Sequence, residues 1–490
     1  TILMSRCLMA FVAVLAIVSS TPSSHAEPSP GFSNDAAIVR AGLSELYPSL
    51  DRFDQQEDVL RALDRLDEIA SQTNDANAFY RAVAAVAAAT RDEHVIPFPS
   101  EKFRQDRRDG RTLLPYTLQW FEGQPFVRDV ADPAHSALVG QEVLQFDGND
   151  ASDVALVLRA TIPSDGNSAT FALRHLQDFT PTQNENYFDL NYPIWFGARE
   201  RYTLKTRNKR GEVTESSLQG LEWPEFEAFY RSRLLRMPPM SFEWLKEDVG
   251  YLEVLSFHDW YYAEHDLDPR AFLTRVFDEL NKRPDAGLIL DLRRNEGGGD
   301  ISSMLLDHVL LSPFLEYDTV MTRFVGQPDA ARFCENAEDV SFRPEWADPR
   351  PDGLYQLRPE FRGLITGASE RTPQPNAFDG KLVVLISGGT GSAAAKVAAV
   401  LDREARASFV GEETGGTAAG ATAYGYCTLA LPASKIKLTI PLIRFERKTE
   451  MTYGRGVLPD LEVDAGSILP LFDDDRVLRT AEQLFEKSHK

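Results

Sequence analysis

Two stretches of this chain run from an unbroken apolar segment into a glycine loop and then into a helix-like segment. They are "GLILDLRRNEGGGDISSMLLDHVLL" from Gly287 and "KLVVLISGGTGSAAAKVAAVL" from Lys381. Short apolar runs without polar alternation fit strands buried on both faces, the condition of a parallel sheet. Both glycine loops would then leave the same, C-terminal, edge of that sheet, where α/β proteins bind their ligands. Upstream, "VGYLEVLSF" reads as another strand and "DPRAFLTRVFDELNKR" as an amphipathic helix. From residue 249 onward the sequence therefore predicts a largely parallel sheet covered on both faces.

The second loop admits two chemistries. Strand, glycine turn, helix, strand and the late acids Glu412 and Glu413 match a dinucleotide fingerprint. However, Ala394 replaces the third glycine, and the following strand runs into the glycine-rich "GEETGGTAAGATAYG" instead of another helix. Alternatively the turn presents the hydroxyl of Ser392. A serine at a helix start sits among unpaired N–H groups and the positive end of the dipole, which can stabilise an oxyanion. A third reading makes Ser392 no more than a helix cap.

The rest of the chain reads differently. Arg6, the apolar "CLMAFVAVLAIVSS" and Ser24-His25-Ala26 follow the order of a secretory signal peptide, assigned to residues 1–26. The apolar core is shorter than the ~20 residues a spanning helix needs. The expectation is an exported protein, periplasmic or secreted, with no membrane span. An exported protein has little access to nicotinamide cofactors. Three amphipathic patterns between 33 and 92 give a helical domain over 27–105. Short apolar runs with turn signals make 106–220 a β-rich module, with a hairpin around Lys209-Arg210-Gly211. The α/β domain spans 245–490, interrupted over 313–380 by Pro- and Arg-rich sequence of no clear period, an insertion or arm. A net charge of −22 argues against nucleic-acid and anionic-membrane partners. Cys7 lies in the leader, so Cys334 and Cys427 either form one disulfide or remain two thiols.

"DLRRNEGGG", "ISGGTGSAAAKVAAVL", "VGEETGGTAAG" and "RGVLPDLEV" resemble, in this order, the core motifs of the C-terminal-processing, or tail-specific, serine peptidases and their tricorn-core relatives. With "VGYLEVLSF" and, more loosely, "LPYTLQWFEGQPFVRDV" and "GQEVLQFDG", the resemblance runs from about residue 80 to 465. It implies a multidomain α+β chain: a helical N-terminal part, a small β-rich, PDZ-like module and an α/β catalytic domain of the ClpP/crotonase-like type. It implies a serine peptidase acting on peptides or unfolded protein, without cofactor or metal. By motif position Ser392 matches the nucleophile, and Ala393 with Gly297 or Gly298 the oxyanion hole. Two other functions stay open: a non-catalytic peptide or apolar-ligand binder on the same scaffold, and a nucleotide-dependent oxidoreductase.

A serine nucleophile needs a base. The tail-specific branch takes a lysine from a segment that here reads Thr414-Gly415-Gly416-Thr417, and Thr417 cannot serve. Lys396, one turn beyond Ser392, reads as a solvated surface lysine. The tricorn-like branch takes a histidine that follows a helix, in a stretch similar to Asp-Gly-His-Thr. Here Asp92-Glu93-His94-Val95 stands at that point, with Glu93 departing from the small residue. His94 is therefore the candidate base, its ordinary pKa being suited to the task. The competing reading is a cap on the preceding helix. Glu450, in "KTEMTYGRGVLPD", is the candidate acid partner, and Asp460 reads as structural. His258 and His265 fit no common zinc spacing.

Overall fold

The computed structural model describes residues 31–177, 187–234, 237–365, 367–449, 454–468 and 470–486. The leader and Glu450 lie outside the described residues.

Strands Gly287–Asp291 and Leu382–Ile386 are buried at every position, as their unbroken apolar sequence requires. They lie side by side at the centre of a six-stranded sheet. Its order is Leu461–Glu462, Ser408–Gly411, Leu382–Ile386, Gly287–Asp291, Val249–Val254, Met240–Lys246. Every pairing is parallel except the last, which is antiparallel. Helices Pro269–Leu280, Ile301–Val309 and Ser392–Arg403 cover one face through Phe277, Leu305 and Val397. Helix Arg476–Glu486 covers the other, packing Val477, Ala481 and Phe485 on Ile289, Val383 and Val410.

The N-terminal helices Ser33–Leu46, Gln56–Gln72 and Ala76–Ala89 pack onto a second sheet. Its principal members are the long antiparallel strands Gly420–Ala430 and Lys437–Glu446. Leu43, Leu46, Val83 and Val86 share one core with Leu429, Leu438 and Ile440. The glycine-rich segment read as a loop through Gly425 thus becomes strand from Gly420. It is interrupted by a bulge at Tyr424 and Gly425, both at positive φ. Such bulges let a ribbon bend around a packed helix layer. Nor does the 313–380 segment lack structure. Its strands Thr319–Thr322, Tyr355–Leu357 and Ala347–Pro349 extend the same sheet. A Cys334–Cys427 disulfide (S–S 2.03 Å) ties it to the ribbon.

The β-rich module is an antiparallel sheet ordered Tyr116–Phe121, Gln124–Val130, Glu142–Phe146, Arg201–Arg207, Val213–Gln219, with the hairpin formed where the turn signal stood. Helices Tyr187–Phe196 and Trp223–Leu234 were not legible as helices. The first carries Pro193, and both hold clusters of aromatic residues in place of a clean stripe. The module is docked on the parallel sheet by Arg174. This buried guanidinium donates to Glu412 (Nε–Oε2 2.8 Å), Asp464 (2.7 Å) and the Trp120 carbonyl (2.7 Å). Among the described residues, no helix is long and apolar enough to cross a membrane.

Removing one partner of a buried, hydrogen-bonded charge cluster leaves the others uncompensated, at a cost of about 3–5 kcal/mol. Arg174→Met should therefore lower unfolding free energy by that order in denaturant titrations, and a loss under about 1 kcal/mol would contradict the docking role. Peptide mapping before reduction should recover Cys334 and Cys427 as one cross-linked pair.

Candidate active site

The two central strands bring their glycine loops together, and side chains lock them. Ser387 Oγ donates to the Arg293 carbonyl (2.7 Å), Thr390 Oγ1 to the Leu292 carbonyl (2.9 Å), and Gly391 N–H to the Asn295 carbonyl (3.1 Å). A Cβ on Gly297, at φ +112°, would lie 2.7 Å from both Ala393 N and Ser392 Cβ. Only glycine permits this approach. Ser392 opens helix Ser392–Arg403 at φ +42°, a left-handed conformation that L-residues adopt only when surroundings enforce it. The cap position is occupied by Gly391, and the Ser392 side chain turns to His94 instead, so the cap reading fails. Ser392 is half-buried.

His94 reaches this turn from the far end of the chain. After helix Ala76–Ala89, Asp92 Oδ1 accepts the His94 N–H (2.9 Å), and Asp92 Oδ2 accepts the Tyr47 hydroxyl (2.6 Å) and the Thr422 hydroxyl. Strand Ile96–Phe98 then pairs with Lys437–Glu446 and fixes the direction of the segment. The result is a His94 Nε2 to Ser392 Oγ distance of 3.0 Å. His94 Nδ1 lies 3.6 Å from Asp92 Oδ1, a charge contact longer than a hydrogen bond. Asp165 braces both sides, accepting from Glu93 N–H (3.4 Å) and Thr417 N–H (3.3 Å).

Two sequence expectations need correction. The Gly297 N–H does not face a reacting oxygen, because Asn295 Oδ1 accepts it at 2.8 Å. The N–H groups of Gly298 and Ala393 have no acceptor among the described residues. Lys396 is not a solvated surface lysine. It is buried, donating to Glu316 Oε2 (2.6 Å) and Ser303 Oγ (3.1 Å), because Glu316 from the 313–380 segment faces it. Thr417 donates to the Gly420 carbonyl (2.6 Å) and accepts from Arg52, a purely structural pattern. Asp92 and Asp165 are acids of the site that sequence reasoning did not assign. Asp92 could have been found from its place two residues before His94; nothing in the sequence flags Asp165.

The electrostatics are those of a crowded, desolvated cluster. Burial alone would lower the His94 pKa, but the carboxylates of Asp92, Glu93 and Asp165 outweigh it and raise the imidazole to about 9. Burial raises Glu93 to about 8, with Asp165 and Asp92 adding to it. Burial and Asp92 raise Asp165 to about 6. Asp92 stays below its ordinary value despite burial, held ionised by His94, Thr422 and Tyr47. A pyrophosphate cradle needs free amides at the helix start, yet the Ser392 N–H is taken by Glu93 Oε1 at 2.8 Å. The Glu93 carboxyl occupies the place a phosphate oxygen would need there, so the dinucleotide reading lapses.

A hydroxyl beside an imidazole, with two unoccupied amides across a parallel-sheet edge, is the arrangement of a serine-type peptidase. Residues 248–463 match the model of peptidase family S41. The structure is similar to that of mature CPAF over 94% of this chain and 96% of that one, at 17% identity and a TM-score of 0.60. It is likewise similar to mature CPAF complexed with lactacystin, over 94% and 97%, at 16% identity and a TM-score of 0.61. The photosystem II D1 C-terminal processing protease matches over 89% and 93%, at 15% identity and a TM-score of 0.39. No curated protein matches. The family match thus covers the α/β part of the chain, residues 248–463, and the likeness to CPAF shows a shared fold.

A base must be neutral to accept a proton, so raising its pKa moves the rise of kcat/KM to higher pH. The His94 imidazole, followed by NMR, should titrate above its ordinary 6.5, and Asp92→Asn should move that midpoint down. Gly298→Ala would place a Cβ 2.3 Å from the Phe257 carbonyl carbon and displace the loop. It should lower kcat by roughly a hundredfold or more with little change in KM, the signature of a lost oxyanion donor.

Proposed function

We propose that this chain is an exported serine peptidase in which Ser392 is the nucleophile, His94 the general base and the N–H groups of Ala393 and Gly298 the oxyanion hole. The observation that carries the reading is the 3.0 Å contact between His94 Nε2 and Ser392 Oγ, on a serine the fold leaves half-buried. Attack of Oγ on a peptide carbonyl transfers its proton to Nε2 and forms a tetrahedral intermediate whose oxyanion faces the two amides. Collapse breaks the C–N bond as His94 returns the proton to the leaving amine. Water, deprotonated by the same imidazole, then hydrolyses the acyl-enzyme. Asp92 is the acid nearest the His94 ring and would stabilise the imidazolium. Glu450, in the segment after Lys437–Glu446, is a second candidate for that role. Export rests on the leader sequence alone.

Hydrolysis of an unfolded protein such as reduced, alkylated casein tests the reading. Ser392→Ala should abolish it while leaving circular dichroism and melting nearly unchanged, since the cap position belongs to Gly391 and not to this side chain. His94→Ala should lose most of it. Lys396→Met tests nothing about the base, because it strands buried Glu316 and is expected to destabilise the fold by about 3–5 kcal/mol. Activity surviving in Ser392→Ala above a few per cent would overturn the assignment, and a wild type that binds peptide without cleaving it would favour the binding-protein alternative.

A further inference from the structure

Glu93 has no step in the reaction above, yet it enters the site where the resembling histidine motif carries a small residue. Its Oε1 accepts the Ser392 N–H at 2.8 Å. A Cβ on Gly391 would lie 3.0 Å from Glu93 Oε2, and one on Gly416 3.5 Å from Oε1, so the carboxyl fills a slot that the two glycines leave open. The amide it holds belongs to the residue at φ +42°, whose conformation needs outside support. This support comes from a segment some three hundred positions away in sequence, the same segment that delivers the imidazole.

We propose that Glu93 is a positioning residue that clamps the nucleophile's backbone through the Ser392 N–H and, through its charge, sets the pH range in which His94 is an available base. The proposal rests on the Ser392–His94 reading. The groups facing the carboxyl are Asp92 and His94 on its own segment, Asp165 behind it, the Ser392 amide, Tyr187 of helix Tyr187–Phe196 and Tyr426 of the ribbon. A carboxyl oxygen accepts from the amide whether the group is protonated or ionised, so the clamp persists through titration while the charge does not. Ionised Glu93 favours imidazolium; protonated Glu93 withdraws that bias and frees the imidazole. The charge state of Glu93 thus biases whether the imidazole is free, and removing only the charge should separate the two roles.

The test uses the rate at which a fluorophosphonate phosphonylates Ser392, read by intact mass across roughly pH 5 to 10, because this needs no knowledge of the natural substrate. Glu93→Gln keeps an oxygen for the Ser392 N–H. It should lose about threefold at the alkaline plateau, as for a hydrogen bond weakened but not lost. Its acid limb should move down by about one pH unit. Glu93→Ala should lose about a hundredfold at the plateau, as expected for a misplaced nucleophile. His94 titration by NMR in a Ser392→Ala background should show the same downward shift in Glu93→Gln without any turnover. An unmoved His94 midpoint overturns the electrostatic role, and an Ala variant that labels as fast as the Gln variant overturns the clamp. If the wild type is labelled no faster than Ser392→Ala, the nucleophile reading has failed instead, and the NMR titration still decides the charge effect.

Discussion

The contact on which everything else in this molecule depends joins residues 298 positions apart, His94 and Ser392. Neither partner can find the other by local structure. Ser392 is set by a parallel sheet whose two central strands carry glycine loops close enough that a Cβ on Gly297 would collide with Ala393 N. His94 is set by a helix layer packed on an antiparallel ribbon, with strand Ile96–Phe98 laid against that ribbon. The ribbon starts just beyond the 411–419 loop, itself the continuation of the central sheet, so the two layers share a covalent hinge as well as Asp165, which bonds to both. A 3.0 Å distance between such remote groups requires each support to be rigid, which explains the density of side-chain to backbone hydrogen bonds around it.

The same convergence gathers charge where water is scarce. Asp92, Glu93 and Asp165 surround one imidazole, and desolvation opposes ionisation of all of them. Asp92 remains ionised because Tyr47, Thr422 and His94 all stabilise its charge, whereas Glu93 has one amide and lies beside two other acids. The protonation state of the imidazole is therefore a property of the cluster and not of His94 taken alone. An isolated imidazole would titrate near its ordinary 6.5, and the surrounding carboxylates move it upward.

What could be read in the sequence was whatever a short window encodes. Unbroken apolar runs announced the central strands, glycine loops announced the sheet edge, and the periodicity of residues 33–92 announced three helices. Ser392, His94 and Ala393 were singled out by their positions in motifs, and the structure brings His94 to Ser392. What failed depends on partners distant in sequence. Lys396 is a surface lysine until Glu316 arrives from a segment without periodicity. Gly297 and Gly298 are equivalent until Asn295 turns its side chain onto one of them. The 420–425 strand is a glycine-rich loop until Lys437–Glu446 pairs with it. Helix Tyr187–Phe196 is hidden by Pro193 and held by aromatic stacking against Phe146.

The central claim is covalent: an acyl group passes through Ser392. Its most direct measurement is rapid acid quench of the enzyme with an activated peptide ester, followed by mass mapping of the trapped adduct. The account predicts a burst of released alcohol approaching one equivalent per chain, with the acyl group on the peptide containing Ser392 and no burst in Ser392→Ala. Hydrolysis without a burst and without an adduct, or an acyl group mapped to any other residue, would contradict it.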